Sequence, residues 1–130
     1  MCHVEAAVDI LRRALEHYAR TGAPPLDLYT DDVVFVTRGE LAGRGEFRGH
    51  EGVARALRDY AESWSDMRPE LLGADETAAG PLVTLIRWHL TARSGVTLDV
   101  DEGWLIWFRD GRISRLEQYA SREEAEAAAA

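Results

Sequence analysis

The stretch LDLYTDDVVFV at Leu26–Val36, followed by EFRGHEGVARAL at Glu46–Leu57, decides the fold of this chain. Asp31 and Asp32 interrupt the chain just ahead of a β-branched and aromatic run, so Val33–Thr37 reads as a first strand. Residues 25–29 add a short helical turn before that break. After an irregular, glycine-rich stretch, Gly49 opens a helix. Val53, Leu57, Tyr60, Ala61 and Trp64 then recur at helical spacing and predict a helix over His50–Trp64.

Working outward, Val4, Val8, Leu11, Leu15 and Tyr18 form one apolar helical face that Gly22 and Pro24–Pro25 terminate. Past Met67 the period changes to that of strands. Residues 68–74, 82–93, 97–109 and 112–120 read as four successive strands, with turns at Ser94–Gly95 and Asp110–Gly111. Ser121 with Glu124 three residues on is a capping-box pattern that opens a tail helix over 121–130. Helices first and an antiparallel meander afterwards predict an α+β domain.

The 130 residues suffice for one domain around one core, and hydrophobic and charged contents of 46% and 29% are those of a globular protein. No apolar run approaches the ~20 residues of a membrane span. The N-terminal MCHVEAAVDILRR has no basic segment ahead of an apolar one, which argues against a signal peptide. The lone Cys2 fits a reducing cytoplasm, and no neighbour activates it as a nucleophile. A net charge of −8, with arginines interleaved among acids, argues against nucleic-acid binding.

The order and wording of LDLYTDDVVFV, EFRGHEGVARAL, FRDGRI at Phe108–Ile113 and EQYASREEA at Glu117–Ala125 closely resemble the SnoaL-like branch of the NTF2-like superfamily, which includes ketosteroid isomerases. The resemblance runs from about Val4 to Ala125. It implies a single domain over 1–130, a curved antiparallel sheet wrapped around the N-terminal helices, and a conical pocket for a small hydrophobic or aromatic molecule. The fold hosts enzymes and non-enzymes alike.

Two-residue turns at both hairpins set a register. Arg87 then faces Glu102, His89 faces Val100, and Leu85 faces Trp104; on the next strand Trp104 faces Glu117 and Glu102 faces Tyr119. One face collects Arg87, His89, Glu102, Trp104, Glu117 and Tyr119 and is expected to line the pocket. The other, with Trp88, Leu105, Trp107 and Gln118, is apolar enough to need cover, which predicts a homodimer through Trp88, Leu105 and Trp107. A turn one residue longer, or a bulge, would exchange the faces.

Within that register Glu102, His89 and Arg87 are the candidate catalytic residues, with Glu102 or His89 moving a proton. Tyr18, Thr37, Trp64, Trp104, Glu117 and Tyr119 are the candidate ligand contacts. The competing reading is an Arg87–Glu102 salt bridge that only braces the pocket. The resemblance supplies a further test. Ketosteroid isomerases carry a helix Tyr, an Asp base and a second Asp where this chain has Leu15, Thr37 and about Trp104, so that machinery is absent. What stands is cofactor-independent acid–base catalysis of the isomerase, cyclase or dehydratase type. The alternatives are a non-catalytic binding or dimeric assembly module, and an epoxide hydrolase-like activity that Arg87 between Glu102 and Glu117 loosely echoes. His3, His17, His50 and His89 lack metal-ligand spacing, and Gly39, Gly43, Gly45 and Gly49 lack a phosphate-loop pattern, so no metal or cofactor is expected. The glycine-rich stretch reads instead as a mobile loop at the pocket.

Overall fold

The computed structural model describes residues 3–37 and 45–130, leaving aside the side chains of His3, Val4 and Tyr60. Cys2, Arg38, Arg44 and the loop glycines Gly39 and Gly43 lie outside the described residues.

Helix α1 (His3–Thr21) buries Ile10, Leu11, Ala14, Leu15 and Tyr18 on one face. It ends where Gly22 takes φ 73° and its N–H donates to the Tyr18 carbonyl at 2.7 Å, a left-handed cap that glycine adopts without steric cost. A single 3-10 turn (Leu26–Leu28) leads into β1 (Tyr29–Thr37). The strand thus starts four residues earlier than the Asp31–Asp32 pair suggests. The two aspartates sit exposed inside it, where the register slips between Tyr29 and Val34, so they mark an irregularity in the strand and not its boundary.

Strand β2 (Gly45–Arg48), unanticipated by its glycine-rich sequence, pairs with β1 and runs straight into α2 (Gly49–Ser63), which buries Val53, Ala56 and Leu57. Strand β3 (Trp64–Glu76) follows without a loop and is longer than the 68–74 expected. Pro69 interrupts none of it, because β3 is an edge strand and one side of its backbone needs no partner. Strands β4 (Leu82–Ala92), β5 (Thr97–Arg109) and β6 (Arg112–Tyr119) complete the meander, and α3 (Arg122–Ala129) closes the chain. Its cap forms as expected: the Glu124 N–H donates to Ser121 Oγ at 3.1 Å, and the Glu124 carboxylate accepts from the Ala120 N–H.

The sheet order is β2-β1-β6-β5-β4-β3, open and six-stranded. It is mixed, because β1 lies parallel to β6, with Phe35 opposite Leu116. The expected antiparallel pairing holds for β2–β1 and for β3 through β6, and the β1–β6 pair adds a parallel junction. Helices α1 and α2 pack on one face, hereafter inner, where the core joins Leu11, Tyr18, Phe35, Val53, Trp88 and Ile106 among others. Helix α3 packs on the outer face, where Ala125 covers Val83 and Leu105.

The register differs from expectation by one residue at both hairpins. The β4–β5 connection has three residues, not two: Ala92 accepts from the Gly95 N–H and donates to Val96, with Gly95 at φ 94°. Arg87 therefore faces Asp101, Trp88 faces Val100, and Ile86 faces Glu102. The Asp110–Gly111 turn does have two residues, pairing Arg109 with Arg112, but a bulge between Trp107 and Phe108 then shifts the ladder. Beyond it Trp104 faces Gln118 and Gly103 faces Tyr119. Each slip sends alternate side chains to the opposite face. Trp88, expected on a dimer surface, is only 2% exposed in the inner core, and Leu105 is sealed beneath α3. Of that predicted surface, Trp107 alone stays half-buried.

Candidate functional site

Among the described residues, the inner face places one carboxyl group in the core. Glu102, on β5, is 0% exposed, and its Oε1 accepts from two indoles: Trp88 Nε1 on β4 at 3.0 Å and Trp104 Nε1 on its own strand at 3.2 Å. Alternation along β5 puts Glu102, Trp104 and Ile106 on this side, and the corrected register brings Trp88 beside them. The rings reinforce the grip. Trp88 and Trp104 lie 6.0 Å apart between centroids, Tyr18 from α1 meets Trp88 edge-on at 6.0 Å, and Phe35 from β1 meets Trp104 at 6.3 Å. Burial disfavours an ionised carboxylate, while N–H donors such as the two indoles favour it.

Tyr18 donates to Met67 Sδ at 3.8 Å, and burial raises its pKa, as it does that of Tyr29. Both phenols stay protonated across the working range. Gln118, on β6 opposite Trp104, is fully buried on the same face. Thr37 is buried at the end of β1, its hydroxyl donating to the Gly45 carbonyl at 3.3 Å, and Trp64 packs against the core at the α2–β3 junction. The interior is bounded by Leu11, Tyr18, Tyr29, Phe35, Trp88 and Trp104 and leaves about 20 Å³ free to a water-sized molecule, room for about one water. A wider, open groove of about 320 Å³ lies beside the first turns of α1, between Ala6, Ile10, Leu82 and Phe108.

The outer face receives the other residues that the expected register placed with Glu102. Arg87 forms a two-bonded pair with Asp101, at 2.8 and 3.1 Å, which pulls the Asp101 carboxyl below its usual range. His89 sits between Glu70 on β3 and Asp99 on β5, each 2.8 Å from one ring nitrogen, and its pKa is raised first by Glu70 and then by Asp99. The Arg87 and His89 side chains are 40% and 43% exposed. Glu117 accepts from Arg115 at 2.8 Å and from the Tyr119 hydroxyl at 2.6 Å, and Arg115 lies over the Trp107 ring. The structure thus keeps Glu102, Trp104, Tyr18 and Thr37 together on the inner side and separates Arg87, His89, Glu117 and Tyr119 from them.

Sequence reasoning missed Trp88 and Gln118 as interior residues because the slipped register assigned both to the opposite face. The signal that could have found them is charge pairing. Only the observed register sets Arg87 opposite Asp101 and His89 opposite Asp99.

Among solved structures, an NTF2-like protein of unknown function from Burkholderia pseudomallei is 21% identical with a TM-score of 0.74, the match covering 92% of this chain and 94% of that one. TerC, co-crystallised with polyporic acid, is 16% identical with a TM-score of 0.74, covering 95% and 98%. A Mycobacterium tuberculosis protein in complex with estradiol-17β-hemisuccinate is 18% identical with a TM-score of 0.68, covering 88% and 92%. Likeness at these identities establishes the fold. No curated protein matches the chain significantly in sequence. The SnoaL-like domain matches residues 11–116, most of the chain, and the protein belongs to that family.

Proposed function

We propose that this chain binds a small hydrophobic or aromatic molecule between α1 and the inner sheet face, and that Glu102 transfers a proton within it. The observation that carries the reading is a fully buried carboxyl group, held by two indole N–H donors, in an interior otherwise lined by aromatic and aliphatic side chains. The ligands of two relatives of this fold, polyporic acid and estradiol-17β-hemisuccinate, support a ligand of that class. With about 20 Å³ free, entry requires side chains at the Pro24–Pro25 end of the interior to move aside.

In the proposed step the Glu102 carboxylate removes a proton from a carbon adjacent to a carbonyl. The electron pair of the broken C–H bond passes to the carbonyl oxygen, where the protonated Tyr18 phenol supplies a hydrogen bond. Where the substrate carries a carbon–carbon double bond next to that carbon, the enolate extends to a dienolate, and the Glu102 carboxylic acid returns the proton to its far carbon, which shifts the double bond without a cofactor. A cyclisation diverts the same carbanion onto a second carbonyl, whose π electrons move to its oxygen, and that oxygen takes the proton back from Glu102.

Glu102→Gln keeps the shape and leaves an amide oxygen for both indoles. With a ligand identified by mass spectrometry of what copurifies, turnover is expected to fall by roughly 10²–10⁴-fold, the usual contribution of general acid–base catalysis, with binding retained. Unchanged turnover removes the catalytic assignment. Binding without turnover in the native protein favours the second reading, a non-catalytic module in which Glu102 anchors the ligand. The epoxide hydrolase alternative loses support, because Arg87 lies across the sheet from Glu102 and pairs with Asp101.

A homodimer is part of the proposal, relocated to the outer face beside α3, where Trp107 and Tyr119 remain half-buried. A one-chain mass by light scattering at micromolar concentration removes it. No described helix is long and apolar enough to cross a membrane, and we place the protein in the cytoplasm on the strength of its lone cysteine.

A further inference from the structure

A hydroxyl has one hydrogen to give, and Tyr18, in the wall of the interior, gives its hydrogen to a thioether: it donates to Met67 Sδ at 3.8 Å. Sulfur of this kind is a weak acceptor, so the buried phenol makes a poorer bond here than it would make to oxygen. Both partners are fixed by other contacts. Tyr18 lies in the last turn of α1 and is 8% exposed, its ring edge-on to Trp88 at 6.0 Å. Met67, also 8% exposed, lies opposite Leu90 on β3 and belongs to the same core. Its unbranched side chain has three rotatable bonds, so the sulfur can withdraw from the hydroxyl while the strand stays in place.

We infer that Met67 is a positioning residue that holds the Tyr18 hydroxyl in reserve and yields it to an oxygen acceptor carried by the ligand. An oxygen-bearing side chain at position 67 would compete with the ligand for that hydrogen. An aliphatic one would leave a buried O–H without its acceptor until a ligand binds, which is costly. The thioether lies between the two. The ligand class that follows is a hydrophobic molecule bearing a carbonyl-type oxygen, which exchanges a sulfur bond for an oxygen bond. A hydrocarbon of the same shape leaves Tyr18 on Met67 and gains nothing there. Burial raises the Tyr18 pKa, so its hydrogen is present to be exchanged. This inference rests on the interior being the ligand site and does not require Glu102 to act as a base.

The test uses two probes of one shape, acetophenone and α-methylstyrene, which differ in carrying C=O or C=CH2. Dissociation constants are read from amide shifts in two-dimensional NMR, and the bond itself from the Met67 methyl resonance of protein labelled with 13C at its methionine methyl groups. The sequence has two methionines, and Met67→Leu identifies the peak. Tyr18→Phe is expected to move the Met67 methyl resonance before any probe is added, and to weaken acetophenone by about 2–10-fold while leaving α-methylstyrene unchanged. Met67→Leu, which nearly conserves volume, is expected to strengthen acetophenone by about 2–5-fold, again without effect on α-methylstyrene, and to lose that effect in the Tyr18→Phe background. A Met67 methyl resonance indifferent to Tyr18→Phe overturns the inference, as does a Met67→Leu variant that weakens acetophenone or changes both probes alike. Binding of both probes with no dependence on either residue removes the inference and leaves the pocket standing. Failure of both probes to bind the native protein at millimolar concentration removes the pocket, and the inference with it.

Discussion

Replacing Gly103 with alanine tests how the tail of this chain is held. Gly103 lies on the outer face of β5, directly beneath the start of α3. A β-carbon there would stand 2.3 Å from the Ser121 carbonyl oxygen, 2.5 Å from Arg122 Cα and 2.6 Å from Arg122 N. All three are backbone atoms, so no side-chain rotation relieves the contact, and α3 must retreat by about 1 Å to regain van der Waals separation. Leaving the sheet altogether would uncover Val83 and Leu105, each worth about 1.5–3 kcal/mol of burial. A strained shift, at the roughly 1–3 kcal/mol typical of overpacking, costs no more than that and is the expected response. At about 4 °C per kcal/mol for a domain of this size, the melting temperature should fall by about 4–12 °C. Amide exchange should accelerate across residues 122–129 while the amides of β4 remain protected. A melting temperature within about 1 °C of the native value, with exchange of α3 unchanged, would refute the reasoning.

Two further outcomes follow from local chemistry. Ser121→Ala removes the acceptor of the Glu124 N–H and should cost about 1 kcal/mol, read as a lower urea midpoint, whereas Ser121→Gly should cost only a few tenths. His89 has a folded pKa above its unfolded value of about 6.5, so its bonds to Glu70 and Asp99 contribute fully below that pH and are lost as pH rises through the folded pKa. The native protein should therefore lose its stability advantage over His89→Asn between neutral and alkaline pH. A difference between the two proteins that is constant from pH 5.5 to 9 would contradict this.

The parts of the fold legible in the sequence are those encoded within one element. Leu11, Leu15 and Tyr18 are all buried in α1, as are Val53 and Leu57 in α2, because helical spacing is a local property. The tail cap is local as well. The unread parts depend on distant partners. Gly45–Arg48 is a strand only because β1 lies beside it, and residues as polar as Ser65 and Asp66 extend because β4 pairs with them or their neighbours. The parallel pairing of β1 with β6 joins segments some eighty residues apart and leaves no mark on either.

The candidate site was half legible for a different reason. Inward alternation along β5 correctly joined Glu102 to Trp104, since one strand carries both, but the residues set opposite them depend on turn length. A three-residue connection and one bulge exchanged Arg87 and His89 for Trp88, and Glu117 and Tyr119 for Gln118. Energetics separates the two registers. The expected one would bury Arg87, His89, Glu102 and Glu117 together beneath α1, at several kcal/mol of desolvation for each charge, and expose the indole of Trp88. The observed one leaves, among the described residues, the Glu102 carboxyl group buried on the inner face, buries Trp88, and sets Arg87 against Asp101 and His89 against Asp99, opposed pairs each worth about 0.2–1 kcal/mol. The pairing energies are too small to decide the register; the desolvation of Arg87 and His89 is large enough. Inward-pointing charge is therefore the quantity to minimise when hairpin turns leave a register open. The carboxyl group that survives that minimisation, here Glu102, is the one whose burial calls for a functional explanation.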